Sequence, residues 1–118
     1  MKSMFHLEFS NTAQLFGIDN SLPDIYLDNA ERTLAFINEL ESIIGPIRVT
    51  SGYRCPKLNK LVGGVEKSDH LVALAFDFVP SQMCRLSHKR ILDYLRNSYK
   101  VRYVESRPNY IHVSLNPF

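Results

Sequence analysis

No apolar run in these 118 residues approaches the roughly 20 that a helix needs to cross a bilayer. The first residues, Met1 to His6, lack a long apolar segment and a cleavage site. No secretory leader is read there, and synthesis in the cytoplasm is expected. Cysteine is scarce: Cys55 and Cys84 cannot build a disulfide framework and are expected as free thiols. They also lack the CxxC spacing of a structural zinc site. Basic clusters are missing, since nothing runs beyond His88-Lys89-Arg90. With a formal charge of +2 and a pI near 8.6, the chain shows no nucleic-acid footprint. No repeat, linker or low-complexity segment divides it. The length reads as one domain, 1–118, and 45% hydrophobic residues give it a modest core.

What is present alternates between helical and extended patterns. Ser10-Asn11 reads as the cap of a single helical turn stopping at Gly17. Asp28, with Glu31 three residues on, resembles a capping box. Leu34, Ile37, Leu40 and Ile44 then mark the turns of a long helix that ends at Gly45-Pro46. Ile47 to Ser51 alternates with period two and is β-branched, which predicts a strand. Pro56 opens a short helix through Leu61, and Gly63-Gly64 ends it. A second strand is expected over Ala73–Val79, with Ala73, Ala75, Asp77 and Val79 on one face and Leu74, Phe76 and Phe78 on the core face. Ser87 caps a helix with Ile91, Leu92 and Leu95 as its stripe. Val101–Glu105 and Tyr110–Leu115 read as a terminal hairpin around a four-residue turn. This order argues an α+β fold, a small antiparallel sheet packed against helices.

The stretch Ser68 to Asp77 carries the chemistry. His70 opens it, six apolar residues follow, and a carboxylate ends it. A charge in such a run is costly unless it is paired, hydrogen-bonded or bound to metal. A second histidine, His112, lies on the last strand. Two histidines and an aspartate suit a catalytic zinc that keeps one position open. Each residue alone also has a plainer reading: His70 exposed in a polar loop, and Asp77 buried on backbone amides. A four-residue turn sets Glu105 opposite Tyr110 and puts Tyr103, Glu105, Tyr110 and His112 on one face. That face is either solvated or part of a site. Glu105 is then the candidate general base and Arg54 the cation for a developing oxyanion. His6 and His88 have no such context and read as surface residues.

Three segments carry a family resemblance: Val49-Thr50-Ser51-Gly52-Tyr53-Arg54-Cys55-Pro56 with Leu58-Asn59 and Val62-Gly63-Gly64-Val65 after it; Ser68-Asp69-His70 leading to Ala75 and Asp77; and Tyr110-Ile111-His112-Val113-Ser114. Together and in this order they resemble the zinc D-Ala-D-Ala carboxypeptidase family, which includes phage endolysin peptidases. The small single-domain phage-type members are the nearest match. The resemblance implies a fold shared with the hedgehog signalling domain, with His70, Asp77 and His112 as zinc ligands. It implies that Arg54 steadies the substrate carbonyl or carboxylate, with Ser51 nearby and Tyr110 at the peptide pocket. Two positions depart from the family pattern. Ala73 stands where glycine is usual, and a positive φ there would be strained. Tyr110 stands where tryptophan is common. Some branches of the family have an acid at the position of Asn109; the resemblance of Val101–Glu105 to a phage-type segment that ends in Glu carries the base role to Glu105 instead.

The expected function is a zinc metallopeptidase that hydrolyses amide bonds in peptidoglycan stem peptides. It would be a carboxypeptidase or an endolysin-type endopeptidase, monomeric, reaching the wall after release or virion delivery. The alternatives are a non-catalytic zinc module that binds wall fragments or a protein partner, and a structural phage protein with an incidental site.

Overall fold

The computed structural model describes residues 7–117. In chain order these form α1 (Asn11–Leu15), α2 (Leu27–Ile44), β1 (Ile47–Ser51), α3 (Pro56–Leu61), β2 (Ala75–Pro80), α4 (His88–Asn97), β3 (Val101–Ser106) and β4 (Ile111–Leu115). Two 3-10 turns, Asp24–Tyr26 and Asp69–Val72, sit between them. The α+β architecture expected from the sequence is what the chain adopts. The strands pair antiparallel in the order β1-β2-β4-β3.

Local chemistry explains most of the helix boundaries. The Ser10 hydroxyl accepts from Ala13 N and caps α1, and Ser87 does the same for α4 from Arg90 N. Pro56 opens α3, where a missing N–H costs nothing. Gly45, at φ 99, ends α2. The Asp28–Glu31 capping box does not form. The Asp24–Tyr26 turn leads into α2 two residues earlier, so Tyr26 is its N-cap and Asp28 lies in the first turn. There the carboxylate still faces the positive end of the helix dipole.

Helices α2 and α4 cover one face of the sheet. Phe36, Ile37, Leu40 and Ile44 of α2 and Ile91 and Leu95 of α4 pack with Phe76 and Phe78 of β2 and Ile111, Val113 and Leu115 of β4. Phe76 is fully enclosed, with its ring 6.2 Å from that of Phe36. Cutting it back to alanine would cost about 3–5 kcal/mol. The opposite face carries Asp77 and His112.

Two β-bulges set which side chains reach that opposite face. In β1, Val49 pairs with Phe78 and Ser51 with Asp77, so Thr50 is the extra residue. In β3, Val101 pairs with Leu115 and Tyr103 with Ser114, so Arg102 is extra. Each bulge reverses the alternation. Val49 and Val101 therefore face the core, while Ser51 and Tyr103, two residues later, face the site.

Two sequence expectations change here. The second strand starts at Ala75 rather than Ala73, because Asp69–Val72 turns as a 3-10 segment and Ala73 closes it at φ 62, ψ 30. The hairpin turn is also tighter than four residues. Ser106 pairs with Ile111 and Arg107 N donates to Tyr110 O, leaving Pro108-Asn109 as the loop. Glu105 consequently stands opposite His112, not Tyr110. The shift is two residues, so every side chain keeps its expected face.

Candidate metal centre and active-site cleft

Asp77 and His112 are direct partners across the β2–β4 ladder. Opposed residues share a face, so the carboxylate and the imidazole stand side by side. His70 comes from the 3-10 turn. Ser68 Oγ accepts from His70 N to start that turn, and α2 holds its far end. Thr33 Oγ1 donates to Ala73 O at 2.7 Å and Asn29 Nδ2 to Val72 O at 3.0 Å. The long helix thus fixes the turn that carries His70 as well as covering the sheet.

The three side chains converge on one oxygen. His70 Nε2 lies 3.2 Å and His112 Nδ1 2.8 Å from Asp77 Oδ1. Their candidate ligand atoms all fall within 4.8 Å of one another. The plainer readings of these residues do not hold. His70 is 2% exposed and Asp77 4%, and the Asp77 side chain meets imidazoles and a guanidinium rather than backbone amides.

The outer nitrogens show what the inner ones are for. His70 Nδ1 is 2.6 Å from Gly52 O. A carbonyl only accepts, so Nδ1 carries the proton, and in the neutral ring Nε2 aims a lone pair at Asp77 Oδ1. Two lone pairs facing each other call for a cation between them. His112 Nε2 rests 2.9 Å from Ser114 Oγ; the hydroxyl accepts when Nε2 carries the proton, and in that tautomer Nδ1 is free to act as a ligand. Imidazoles braced from behind beside a carboxylate are a donor set that fits zinc.

Burial pushes the Asp77 carboxyl up, but when the facing nitrogens of His112 and His70 carry protons, the hydrogen bonds they donate outweigh it and hold the group well below the usual carboxylate range; a cation between the groups takes the place of those protons. The other Asp77 oxygen accepts from Arg54 Nη2 at 3.2 Å. Arg54 also donates Nε to Ser51 Oγ at 3.0 Å and Nη1 to Asn59 Oδ1 at 3.2 Å. Burial lowers the guanidinium from its ordinary value, with Asp77 and Tyr110 opposing. Three of its five N–H donors are committed, and one on each terminal nitrogen remains. Arg54 lines the cleft, whereas Ser51 meets it through Arg54 and is not part of the lining.

Asn59 had no role assigned in the sequence, although it lies in the first motif. It is 4% exposed, holds Arg54 through Oδ1 and donates Nδ2 to Val65 O at 2.9 Å. A buried asparagine in a short helix is the signal that points to it. A Cβ on Gly64 would lie 2.1 Å from Asn59 Oδ1 and 2.9 Å from Arg54 Nη1, so glycine is needed there for the close approach.

The cleft holds about 420 Å³, with His70, Asp77 and His112 among its lining. Tyr103, Glu105 and Arg107 also line it. Glu105 Oε2 accepts from the Tyr103 hydroxyl at 3.0 Å and Oε1 from Arg107 Nε at 2.8 Å. The Tyr103 bond first, and Arg107 as well, hold the Glu105 carboxyl below its ordinary value. Tyr110 precedes β4 and stands at the rim, 36% exposed. His88 is exposed, 3.0 Å from Ser106 Oγ, and does not line the cleft. His6 lies outside the described residues. Cys55 and Cys84 are free, and Cys55 Sγ caps α3 by accepting from Leu58 N.

Comparison with curated proteins and with solved structures gave no match. A family model described as Peptidase M15 matches residues 5–114. It spans all three motifs and both strands that carry the site. The chain belongs to the peptidase M15 family, whose members are zinc D-Ala-D-Ala carboxypeptidase-like enzymes.

Proposed function

We propose that the chain is a zinc metallopeptidase that hydrolyses amide bonds in peptidoglycan stem peptides, as a carboxypeptidase or an endolysin-type endopeptidase. One observation carries the reading: two imidazole nitrogens, braced from behind by Gly52 O and Ser114 Oγ, converge on the buried Asp77 carboxylate in an open cleft. His70 Nε2, His112 Nδ1 and Asp77 Oδ1 would hold the ion. Bound zinc supplies a Lewis acid that makes water acidic near neutral pH and polarises the scissile carbonyl.

The chain's own groups do the rest. Arg54 has two free N–H donors for the oxygen that gains charge. Its other three are anchored, so it is pre-positioned rather than recruited. Glu105, opposite His112, takes a proton from water and returns it to the leaving amine. Each Glu105 oxygen accepts one hydrogen bond, from Tyr103 or from the 53% exposed Arg107, and keeps a further lone pair for the proton. Tyr110 flanks the peptide at the rim.

A second reading rests on that same carboxylate. The hydrogen bonds from Tyr103 and Arg107 hold Glu105 below its ordinary value and so make it a weaker base, as suits a module that binds wall fragments without cutting them. A digest of purified peptidoglycan, read by mass spectrometry with and without a zinc chelator, separates the two. New peptide fragments that vanish with chelator and return with zinc support the peptidase. An unchanged wall across several peptidoglycan chemistries, from protein shown to hold zinc, refutes it in favour of the binding module. The site of action we propose is the bacterial wall, reached after cytoplasmic synthesis by release or virion delivery. Among the described residues no helix is long and apolar enough to cross a membrane.

A further inference from the structure

The cleft is lined by three cations, Arg54, Lys67 and Arg107, and three carboxylates, Asp69, Asp77 and Glu105. Each carboxylate already has a basic partner. Asp77 is held by Arg54, Glu105 by Arg107, and Asp69 by Arg102, the extra residue of the β3 bulge. Lys67 is left over. It is exposed, and among the described residues no ion pair or hydrogen bond engages its ammonium. Its sequence neighbour Glu66 does not line the cleft.

The backbone beneath Lys67 is held in place. Gly64 N donates to Asn59 O, Asn59 Nδ2 to Val65 O, and Ser68 N to Val65 O at 3.2 Å. The last bond closes a turn with Lys67 at its third position. A braced turn therefore presents an unmatched positive charge at the cleft, on the segment that leads into His70. The lining holds as many carboxylates as cations, but Arg102 takes Asp69 from outside it, and a divalent ion at the metal site would add further positive charge. Each carboxylate of the lining already has a partner, so an anionic group on a ligand is what fits Lys67.

We propose that Lys67 is a specificity-determining residue that pairs with a free carboxylate of the bound peptide and favours it over the amidated form. The proposal rests on the peptidase reading for the identity of the peptide, and its test does not depend on turnover. The probes are a synthetic stem pentapeptide with all carboxylates free and two versions amidated, one at the internal acidic residue and one at the C-terminus. Binding is measured by calorimetry on the zinc-loaded protein, with cleavage followed in parallel. An exposed ion pair predicts binding of the free peptide roughly three- to fivefold tighter than one of the amidated forms. The difference should shrink with added salt. Lys67→Met should abolish it, Lys67→Arg should keep it, and Lys60→Met on α3, outside the cleft, should leave it unchanged.

Equal binding of all three peptides by the unaltered protein overturns the inference, as does a preference that survives Lys67→Met. Cleavage without preference removes the inference and leaves the peptidase. Preference without cleavage removes the peptidase and leaves Lys67 as the reader of a bound wall fragment. Failure to bind any of the peptides removes both.

Discussion

Gly64→Ala tests whether Arg54 is a pre-positioned group, because it disturbs the arginine without touching a metal ligand. The new Cβ would sit 2.1 Å from Asn59 Oδ1, where ordinary contact begins near 3.4 Å. Asn59 must therefore move by more than about 1 Å, since the backbone of α3 behind it is packed. Two bonds go with it: Nη1 to Oδ1 at 3.2 Å, which is charge-assisted, and Nδ2 to Val65 O at 2.9 Å. Their joint loss is worth about 2–4 kcal/mol before relaxation. Arg54 keeps Ser51 and Asp77 but loses the bond that sets its outer edge. A misplacement of about 1 Å in a positioning group costs up to ~100-fold in rate. The expected outcome is a 10- to 100-fold fall in kcat/KM on a peptidoglycan peptide, roughly 1.4–2.7 kcal/mol of barrier. Zinc content, measured by mass spectrometry of the metal, should be unchanged. Gly63→Ala is the matched control. It sits at φ 74 with open space around its Cβ position, so it should lose about 1 kcal/mol of stability and keep its rate. Native kcat/KM in folded Gly64→Ala would refute the positioning role of the Asn59–Arg54 pair.

Three further perturbations probe other parts of the site and fold. Ala73→Gly removes a left-handed strain of about 1–2 kcal/mol at a cost of about 0.5–1 kcal/mol in chain entropy. Its Tm should rise by a few degrees, and a fall would mean that packing of the buried methyl dominates. Glu105→Gln keeps the shape and the Tyr103 contact but removes the base. If Glu105 moves the proton, kcat should drop about 10²- to 10⁴-fold with zinc retained, and an unaltered kcat would assign that role elsewhere. Glu39 is held below its ordinary value first by the hydrogen bond from Lys100, with Tyr94 adding to it and burial opposing. A depressed carboxylate stabilises above its unfolded pKa of about 4.3, and that contribution is lost as pH falls through the lower folded value. The pair is more than a third exposed, so it is worth about 0.5 kcal/mol. Urea unfolding of Glu39→Gln should show that much less acid sensitivity below pH about 4.5, and an identical pH dependence would count against the pair.

The metal-site residues could be read because they break a pattern. A carboxylate after six apolar residues has to be paid for by partners, and Asp77 has three of them. The positive φ expected to strain Ala73 is present at 62°. Helix caps at Ser10 and Ser87 could be read because capping is local chemistry, settled within three residues. The start of α2 was less legible. Whether Tyr26 or Asp28 caps it depends on a 3-10 turn whose residues carry no distinctive signal. The partners of Arg54 were hidden because Asn59 and Asp77 meet it only when α3 and β2 are brought together.

The two bulges show most clearly where a linear reading stops. Period two applied to Ile47–Ser51 puts Ser51 on the same face as Val49, in the core. Applied to β3, it puts Val101 beside Tyr103. Had both strands run straight, the sheet would have had to choose between a hydrophobic face and a site. The extra residues, Thr50 and Arg102, remove that conflict, and each has a second use. Thr50 Oγ1 donates to Asp77 O at 3.3 Å, tying the bulge to the strand that carries the carboxylate. Arg102 pairs with Asp69, the residue before His70, and so ties the far edge of the sheet to the turn that carries the first histidine. The irregular residues thus brace the site from both edges of the sheet. Nothing in their type announces this, because a bulge is a property of pairing between strands and neither strand records it alone. The hairpin shows the converse. Its turn is tighter than expected, yet the error of two residues returns Glu105 to the same face and places it opposite His112, nearer the metal site than the sequence implied.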